Sequence, residues 1–364
     1  MNRFATPEET KNYIERFPDR AENHFRQAQN LWLSSIGIGT YLGNYDAQTD
    51  KNYTEAITKF VELGGNVIDT AANYRFQRSE RNIGEALKIL QGKGIGREEI
   101  FICTKGGYLP FDNEPPSNVR QYFEENFVQK GIATFEDLVG GSHCMTPEYL
   151  QSQINQSLQN MNLETLDLFY IHNPESQLQE IDKYTFEARL AKAFERLEEN
   201  RANGKLQFYG AATWNGFRVP PDNQSYHSLE RMVNIAKQVG GENHGFKFIQ
   251  LPFNLAMPEA FLFKNQAVGG EIYSTIEAAN ESGVSVMCSA SILQGKLARN
   301  LPENLRETLG DLKTDAQVGL QFVRSAPNVT TALIGMSQER HVEENLELAK
   351  IEPVGAENFR QLFS

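Results

Sequence analysis

Eight short apolar runs recur along the chain, and segments of helical period separate them. Most runs are continuously apolar, which is typical of strands buried on both faces of a parallel sheet. The intervening segments 54–65 and 189–205 space apolar residues by three and four positions and end near glycine, as amphipathic helices do. The runs occupy residues 36–42, 66–70, 100–105, 167–172, 206–213, 248–254, 284–290 and 331–335.

This alternation of strands and helices predicts an α/β protein with a single (β/α)8 TIM barrel. An open, doubly wound sheet is the alternative. We assign residues 32–350 to the barrel, 1–31 to a short N-terminal helical extension and 351–364 to a short C-terminal tail. In the extension, Thr6-Pro7-Glu8-Glu9 has the order of an N-cap, a first-turn proline and a capping-box glutamate. A short polar helix is therefore expected there, ahead of the core.

One connection is much longer than a barrel requires. About forty residues separate Lys105 from a helix start predicted at Thr146-Pro147-Glu148, where a short loop is usual. The insertion, about residues 108–145, follows the carboxyl end of the third strand, on the face where barrel active sites lie. A lid or pocket wall is the favoured interpretation, with a surface decoration or an oligomer contact as alternatives. We expect its aromatic residues to anchor it to the barrel, with the lining of an aromatic pocket as the alternative: Tyr108, Phe111, Tyr122, Phe123 and Phe127.

Composition narrows the function classes. Lys and Arg number 35 against 47 Asp and Glu, a net charge of −12, which argues against a nucleic-acid or anionic-membrane partner. The cysteines Cys103, Cys144 and Cys288 are odd in number and widely spaced, unlike a metal site or disulfide framework. The N-terminus is too polar for a signal peptide, and no run of ~18 apolar residues occurs. We expect a soluble, cytoplasmic protein without a metal, and its oligomeric state stays open.

Four polar residues stand at or just past the ends of the second, third and fourth runs: Asp69, Tyr74, Lys105 and His172. Strand ends on one rim of a barrel surround one mouth, so these side chains are expected to converge. An adjacent Lys105 ammonium would lower the pKa of the Tyr74 phenol from ~10, and Asp69 would hold the lysine charged. His172 would orient a carbonyl. Singly, each residue has an ordinary structural role; together they suit proton donation to a carbonyl oxygen.

Seven segments in the same order resemble the aldo-keto reductase family, from about Ser34 to Lys350. The family is a (β/α)8 barrel that binds NADP(H) without a Rossmann domain, and no G-x-G-x-x-G follows the first strand here. The resemblance implies an oxidoreductase that reduces an aldehyde or ketone, with Asp69, Tyr74, Lys105 and His172 as its catalytic tetrad. The segments are GGNVIDTAANYRFQRSERNIGEAL (64–87), IFICTK (100–105), LETLDLFYIHNPE (163–175), GKLQFYGAATWN (204–215), FIQLPFN (248–254), GVSVMCSASILQGKL (283–297) and TALIGMSQERHVEENLELA (331–349).

The resemblance also implies a set of cofactor-binding residues for NADP, with NAD possible. Gln250 would lie at the nicotinamide amide, and Ser337 would cap a helix whose N-terminus is suited to an anion. The set is Gly39, Thr40, Asp69, Thr213, Gln250, Ser289, Ala290, Ile292, Gln294, Gly295, Lys296, Gly335, Ser337, Arg340, Glu344 and Asn345.

Three segments depart from the family pattern. Ala212-Thr213 stands where Ser-Asn is usual, so one hydroxyl remains for the nicotinamide carboxamide. Ser289 replaces an aromatic residue that often stacks on the nicotinamide. Gln338 and His341 occupy positions where Lys or Arg usually holds the 2′-phosphate, which leaves Arg340 as the nearby fixed cation.

Two other functions compete with carbonyl reduction. One is a sensor or regulatory subunit of the same fold that binds nicotinamide nucleotide without turnover. The other is a Schiff-base lyase in which Lys105 would act as an amine nucleophile.

Overall fold

The computed structural model describes residues 4–310 and 312–363, and its strands and helices alternate for most of that length. The strands are β1 (Phe25–Ala28), β2 (Leu31–Ser34), β3 (Ile36–Gly39), β4 (Val67–Asp69), β5 (Phe101–Gly106), β6 (Leu166–His172), β7 (Leu206–Ala212), β8 (Phe246–Pro252), β9 (Lys264–Val268), β10 (Glu271–Ser274), β11 (Ser285–Ser289) and β12 (Val329–Gly335). The helices are α1 (Pro7–Glu15), α2 (Ala47–Glu62), α3 (Arg78–Gly92), α4 (Val119–Phe123), α5 (Pro147–Met161), α6 (Lys183–Ala202), α7 (Leu229–Gly240), α8 (Glu259–Leu262), α9 (Thr275–Glu281), α10 (Glu303–Leu309), α11 (Asp315–Ser325), α12 (Glu339–Leu346) and α13 (Ala356–Gln361).

Eight of the strands in the described part of the chain close into a parallel barrel in the order β3-β4-β5-β6-β7-β8-β11-β12. Ile334 of β12 pairs with Ile38 of β3, and this pairing closes the ring. Each barrel strand overlaps one of the eight apolar runs, so the predicted (β/α)8 barrel is confirmed and the doubly wound sheet is wrong. The continuous apolar pattern follows from burial on both faces, by the barrel interior and by the helices outside.

The N-terminal segment contains the predicted helix, α1, followed by the strands β1 and β2. Thr6 Oγ1 accepts a hydrogen bond from Glu9 N at 3.1 Å, which confirms the predicted N-cap of α1. The helix is part of the core, contrary to expectation, because Tyr13 is fully buried and its hydroxyl lies within hydrogen-bond distance of Val61 O and Gly65 O. Residues 1–3 of the extension and residue 364 of the tail lie outside the described residues.

The sequence did not reveal the hairpin β1–β2, which lies across the amino-terminal end of the barrel. Its two turn residues, Gln29 and Asn30, both have positive φ (51° and 67°), a conformation that usually selects Asn-Gly. Leu31 and Leu33 pack in one cluster with barrel residues such as Phe101. The hairpin therefore seals the end of the barrel opposite the strand carboxyl ends. A second hairpin, β9–β10, lies between β8 and α9 and was also not predicted.

The insertion between β5 and α5 has a small apolar core of its own. Phe123 and Phe127 are buried and stacked with ring centroids 5.4 Å apart, and Phe111 and Tyr122 pack beside them. Phe127 packs on Tyr149 of α5 with ring centroids 5.0 Å apart, so this cluster of four rings joins the insertion to a barrel helix. Tyr108 is the exception, because it stands directly after β5 and lines the cleft described below.

No helix among the described residues has the length and apolar character needed to cross a bilayer. The described residues likewise contain no group of three or more His, Cys, Asp or Glu side chains placed to bind a metal. Cys103, Cys144 and Cys288 are buried free thiols.

Candidate active site

A cleft of about 670 Å³ opens at the carboxyl ends of the barrel strands. Its lining combines residues from the strand ends with residues of the loops that follow them, as in other barrel active sites. The lining residues are Gly39, Thr40, Tyr41, Leu42, Asp69, Asn73, Tyr74, Tyr108, His172, Asn173, Ala212, Thr213, Trp214, Gln250, Ser289, Ala290, Ser291, Ile292, Gln294, Gly295, Ala298, Thr314, Ala316, Leu333, Ile334, Gly335, His341, Glu344 and Asn345.

Asp69 and Lys105 form a buried ion pair beneath this cleft. Lys105 Nζ lies 2.7 Å from Asp69 Oδ2 and also donates to Thr70 O at 2.8 Å. Burial alone would lower the pKa of the Lys105 ammonium, but the carboxylate of Asp69 raises it above its ordinary value. Lys105 is therefore held as a cation, as the sequence analysis expected.

Tyr74 lies beside this pair. The Lys105 ammonium is 5.0 Å from the centre of the Tyr74 ring, and the Tyr74 and His172 rings are 5.9 Å apart. Burial raises the pKa of the Tyr74 phenol, and the opposing effect of Lys105 does not fully offset it. The expectation of a net lowered pKa is wrong for this structure, because desolvation of the phenolate outweighs attraction to the ammonium.

His172 ends β6 and faces the same cleft. Burial, assisted by the nearby Lys105 charge, lowers the pKa of His172 well below its usual value, so the ring is neutral near pH 7. Its Nδ1 atom is buried and has no hydrogen-bond partner among the described residues. The four predicted catalytic residues therefore converge: an ion pair, a protonated phenol and a neutral imidazole at one mouth.

A hydrogen-bond network of three side chains, of which His143 belongs to the insertion, supports the backbone of His172. His143 Nε2 lies 2.7 Å from the backbone oxygen of His172, and Gln177 Nε2 donates to His143 Nδ1 at 2.9 Å. Arg189 donates to Gln177 Oε1 at 2.7 Å, which orients the amide and makes His143 Nδ1 the acceptor. His143 Nε2 therefore carries the proton and donates it to His172. Sequence inspection missed His143, since nothing in its local pattern shows what it contacts.

Most of the predicted cofactor residues line the cleft. Those that do are Gly39, Thr40, Asp69, Thr213, Gln250, Ser289, Ala290, Ile292, Gln294, Gly295, Gly335, Glu344 and Asn345. Lys296 and Arg340 are exposed and lie outside the lining, as does Ser337. Ser337 is not the cap of α12: the helix begins one residue later than predicted, with Gln338 at the N-cap and no side-chain cap bond.

Two buried oxygens in the lining have no partner among the described residues: Thr213 Oγ1 and Asn345 Oδ1. Buried polar atoms are normally hydrogen-bonded, so both are suited to a bound ligand. The loop after β11 is also strained, because Ala290, Leu293 and Gln294 all have positive φ. A ligand with polar groups at both ends and an extended middle, such as a dinucleotide, fits this arrangement.

Two of the predicted polar contacts are already satisfied within the protein. Thr40 is fully buried, and its hydroxyl lies within hydrogen-bond distance of Asp69 O (3.1 Å) and Thr70 Oγ1 (2.9 Å). Gln250 Nε2 donates to Asp69 Oδ1 at 2.7 Å. Thr40 thus fixes the end of β4, and Gln250 has its carbonyl oxygen to offer to a ligand.

The wall near Tyr74 contains residues that the sequence analysis did not assign to the site: Tyr41, Asn73, Asn173 and Trp214. Tyr41 packs edge-on against Tyr74 with ring centres 5.0 Å apart. Tyr41 directly follows Thr40, and Trp214 directly follows Thr213. Their position next to predicted cofactor residues was therefore the feature of the sequence that could have identified them.

A model of the aldo/keto reductase family matches residues 35–363. This chain belongs to that family. The match includes all eight barrel strands, the tetrad and every predicted cofactor residue, so the resemblance inferred from seven segments is confirmed.

Curated aldo/keto reductase relatives are distant. The chain is 27% identical over 187 residues to a D-threo-aldose 1-dehydrogenase of a Pseudomonas species, a match that covers 50% of this chain and 51% of that protein. It is 26% identical over 191 residues to an NADH-specific methylglyoxal reductase of Escherichia coli strain K12, covering 50% and 49%. The chain therefore spans about half the length of these curated relatives.

Solved aldo-keto reductase structures share the fold. One, from Klebsiella pneumoniae in complex with NADP and acetate, superposes with a TM-score of 0.61 at 16% identity and 94% coverage of both chains. Another, the holo form of an enzyme from Bacillus halodurans, gives a TM-score of 0.61 at 20% identity, covering 93% of this chain and 95% of that one.

Proposed function

We propose that this protein catalyses the nicotinamide-dependent reduction of an aldehyde or ketone, and the reverse oxidation of an alcohol. The observation that carries the proposal is the arrangement of Tyr74, His172 and the Lys105–Asp69 pair at one mouth of the cleft. Two relatives, named as a dehydrogenase of aldoses and a reductase of methylglyoxal, support redox chemistry at a carbonyl.

NADP(H), or NAD(H), supplies the hydride in this reaction. The residues that would hold it are those of the cleft lining, with Thr213 Oγ1 and Gln250 at the nicotinamide end and Asn345 Oδ1 at the adenosine end. Neighbouring structures contain NADP or NADPH, which supports NADP(H) as the cofactor.

Tyr74 is the proposed proton donor. Its phenol is protonated at neutral pH, so a proton is available when negative charge develops on the carbonyl oxygen. Lys105, kept charged by Asp69, stabilises the phenolate that remains after transfer. Neutral His172 orients the carbonyl by a hydrogen bond from its ring. Together these side chains would bind and protonate the oxygen, and the remaining lining residues would hold the nucleotide.

The Schiff-base alternative requires a neutral amine. The pairing with Asp69 keeps Lys105 protonated, and its side chain is only 1% exposed. We therefore do not assign nucleophilic catalysis to this lysine.

Fluorescence titration with NADPH and NADH, followed by an absorbance assay with a panel of aldehydes and ketones, tests the proposal. We expect saturable binding and turnover, and a loss of kcat of ~100-fold or more in Tyr74→Phe. Tyr45→Phe is the matched control: Tyr45 is half exposed, packs on Phe76 and lies outside the cleft lining. Binding without turnover on any carbonyl would instead favour a sensor, and absence of binding to either nucleotide would refute both functions.

A further inference from the structure

Glu175 receives the backbone amides of the loop that follows β7. Its Oε1 accepts hydrogen bonds from Trp214 N at 2.7 Å and Asn215 N at 2.9 Å, with Gly216 N at 3.4 Å. Glu175 lies three residues after His172, on the short 3₁₀ helix Pro174–Gln179. One buried carboxylate thus ties the loop after β6 to the loop after β7.

The loop held in this way forms part of the cleft wall. Thr213 continues the strand ladder, because its amide donates to Gln250 O at 2.8 Å. Trp214 is the first residue past that ladder, it lines the cleft, and the residue is 41% exposed. The position of the indole therefore depends on what holds its own backbone, whereas Thr213 is fixed independently.

The Oε1 oxygen of Glu175 is directed at these amides. Burial raises the pKa of Glu175, and the hydrogen bonds from the loop amides offset this effect only in part. The other oxygen, Oε2, is buried without a hydrogen-bond partner among the described residues. His227 Nε2 is 3.9 Å away, and burial lowers the pKa of His227 to about 3, so this ring is neutral and supplies no counter-charge.

We propose that Glu175 is a positioning residue that fixes Trp214 as one wall of the carbonyl-binding end of the cleft. The inference rests on the proposed function, because it assigns Trp214 to that reaction's substrate. The cofactor end is expected to be independent of Glu175, since Thr213 and Gln250 are joined by the barrel ladder.

Removal of the carboxylate leaves buried amides without their acceptor. In Glu175→Ala the loop is expected to shift, raising KM for the carbonyl about tenfold, the scale of a lost charge-assisted hydrogen bond. The dissociation constant of the nucleotide is expected to stay within about twofold of wild type, because the Thr213 anchor remains. Glu175→Gln keeps an acceptor of the same shape, so it should recover most of the loss and fold where the alanine variant does not.

Glu180 provides a matched control. It directly follows the same 3₁₀ helix, and its Oε1 accepts from a backbone amide in the same way, but that amide is Gly140 of the insertion, at 2.9 Å. Glu180→Ala should therefore leave carbonyl KM unchanged.

The experiment combines kinetics with a signal from Trp214 itself. Trp32 and Trp214 are the two tryptophans of the chain, so Trp32→Phe makes Trp214 the sole indole fluorophore. In that background, Glu175→Ala should increase acrylamide quenching of Trp214 and raise carbonyl KM, whereas Glu180→Ala should do neither. Unchanged quenching and KM in Glu175→Ala, or a Glu175→Gln variant that loses as much as Glu175→Ala, would overturn the inference. If the parent protein reduces no carbonyl, the proposed function fails, and the quenching of Trp214 alone decides whether Glu175 holds the wall.

Discussion

Gln250 donates from Nε2 to Oδ1 of Asp69 at 2.7 Å, while Lys105 holds Oδ2 of the same carboxylate at 2.7 Å. Both oxygens of Asp69 are thus engaged, one by Gln250, which is proposed to bind the cofactor, and one by Lys105, which is proposed to stabilise the Tyr74 phenolate. Asp69 therefore connects the side chain of Gln250 to that of Lys105 through one carboxylate.

The buried Asp69–Lys105 pair gives a prediction about stability. Asp69→Asn or Lys105→Met alone should lower the free energy of unfolding by about 3 kcal/mol, because each leaves a buried charge without its partner. The loss of unfolding free energy in the double variant should be much smaller than the sum of the losses in the two single variants. Urea denaturation of the four proteins measures this coupling, and additive losses would show that the pair contributes no net interaction.

Tyr74 determines the expected alkaline limit of carbonyl reduction. The reactive form is the protonated phenol, which is present below its pKa, and burial raises that pKa from the ordinary ~10. kcat/KM for an uncharged aldehyde should therefore stay level from about pH 6 to pH 9. A pH profile of wild type against Tyr74→Phe checks this, and a descending limb near neutrality that the variant lacks would contradict it.

Titration of His143 is expected to make the free energy of unfolding depend on pH. Burial lowers its pKa to about 4 in the folded protein, against ~6.5 when unfolded. Between these values the unfolded state binds more protons, so the His143 contribution is complete above ~6.5 and disappears as pH falls toward 4. The part of the unfolding free energy that depends on His143 in this way amounts to about 3 kcal/mol.

Denaturation of wild type and His143→Gln at several pH values tests that window. The stability difference between the two proteins should shrink steadily from pH 7 to pH 4. A difference that stays constant across this range would mean that His143 does not titrate as its burial implies.

Arg340 is expected to contribute little to cofactor choice. It is exposed and lies outside the cleft lining, so any contact with a 2′-phosphate would be a screened surface pair. Arg340→Ala should raise the dissociation constant for NADPH by about threefold or less and leave NADH unchanged. Fluorescence titration with NADPH and NADH measures these dissociation constants. A selective loss of affinity of tenfold or more for NADPH would show that the Arg340 guanidinium reaches the phosphate.

Local pattern was sufficient for the barrel and for the convergence of the four candidate catalytic residues. Each apolar run coincides with a barrel strand, and Asp69, Lys105 and His172 stand at or next to strand ends that a closed barrel necessarily brings together. The hairpin β1–β2 was missed because its Gln29-Asn30 turn lacks the glycine that usually marks such a turn. Ser337 was wrong as a cap because a one-residue shift in the helix start is not visible in sequence.

The sequence by itself determined which residue types stand at the carboxyl ends of the strands, and hence the family and the proposed chemistry. Only the tertiary structure decided how their polar atoms are used. The Thr40 hydroxyl is hydrogen-bonded inside the barrel, whereas the Thr213 hydroxyl has no partner among the described residues and lies at the cleft. Glu175 accepts hydrogen bonds from three backbone amides of a loop about forty residues away in the chain. These outcomes depend on partners far apart in the chain, and burial, not residue type, sets the direction of the Tyr74 pKa.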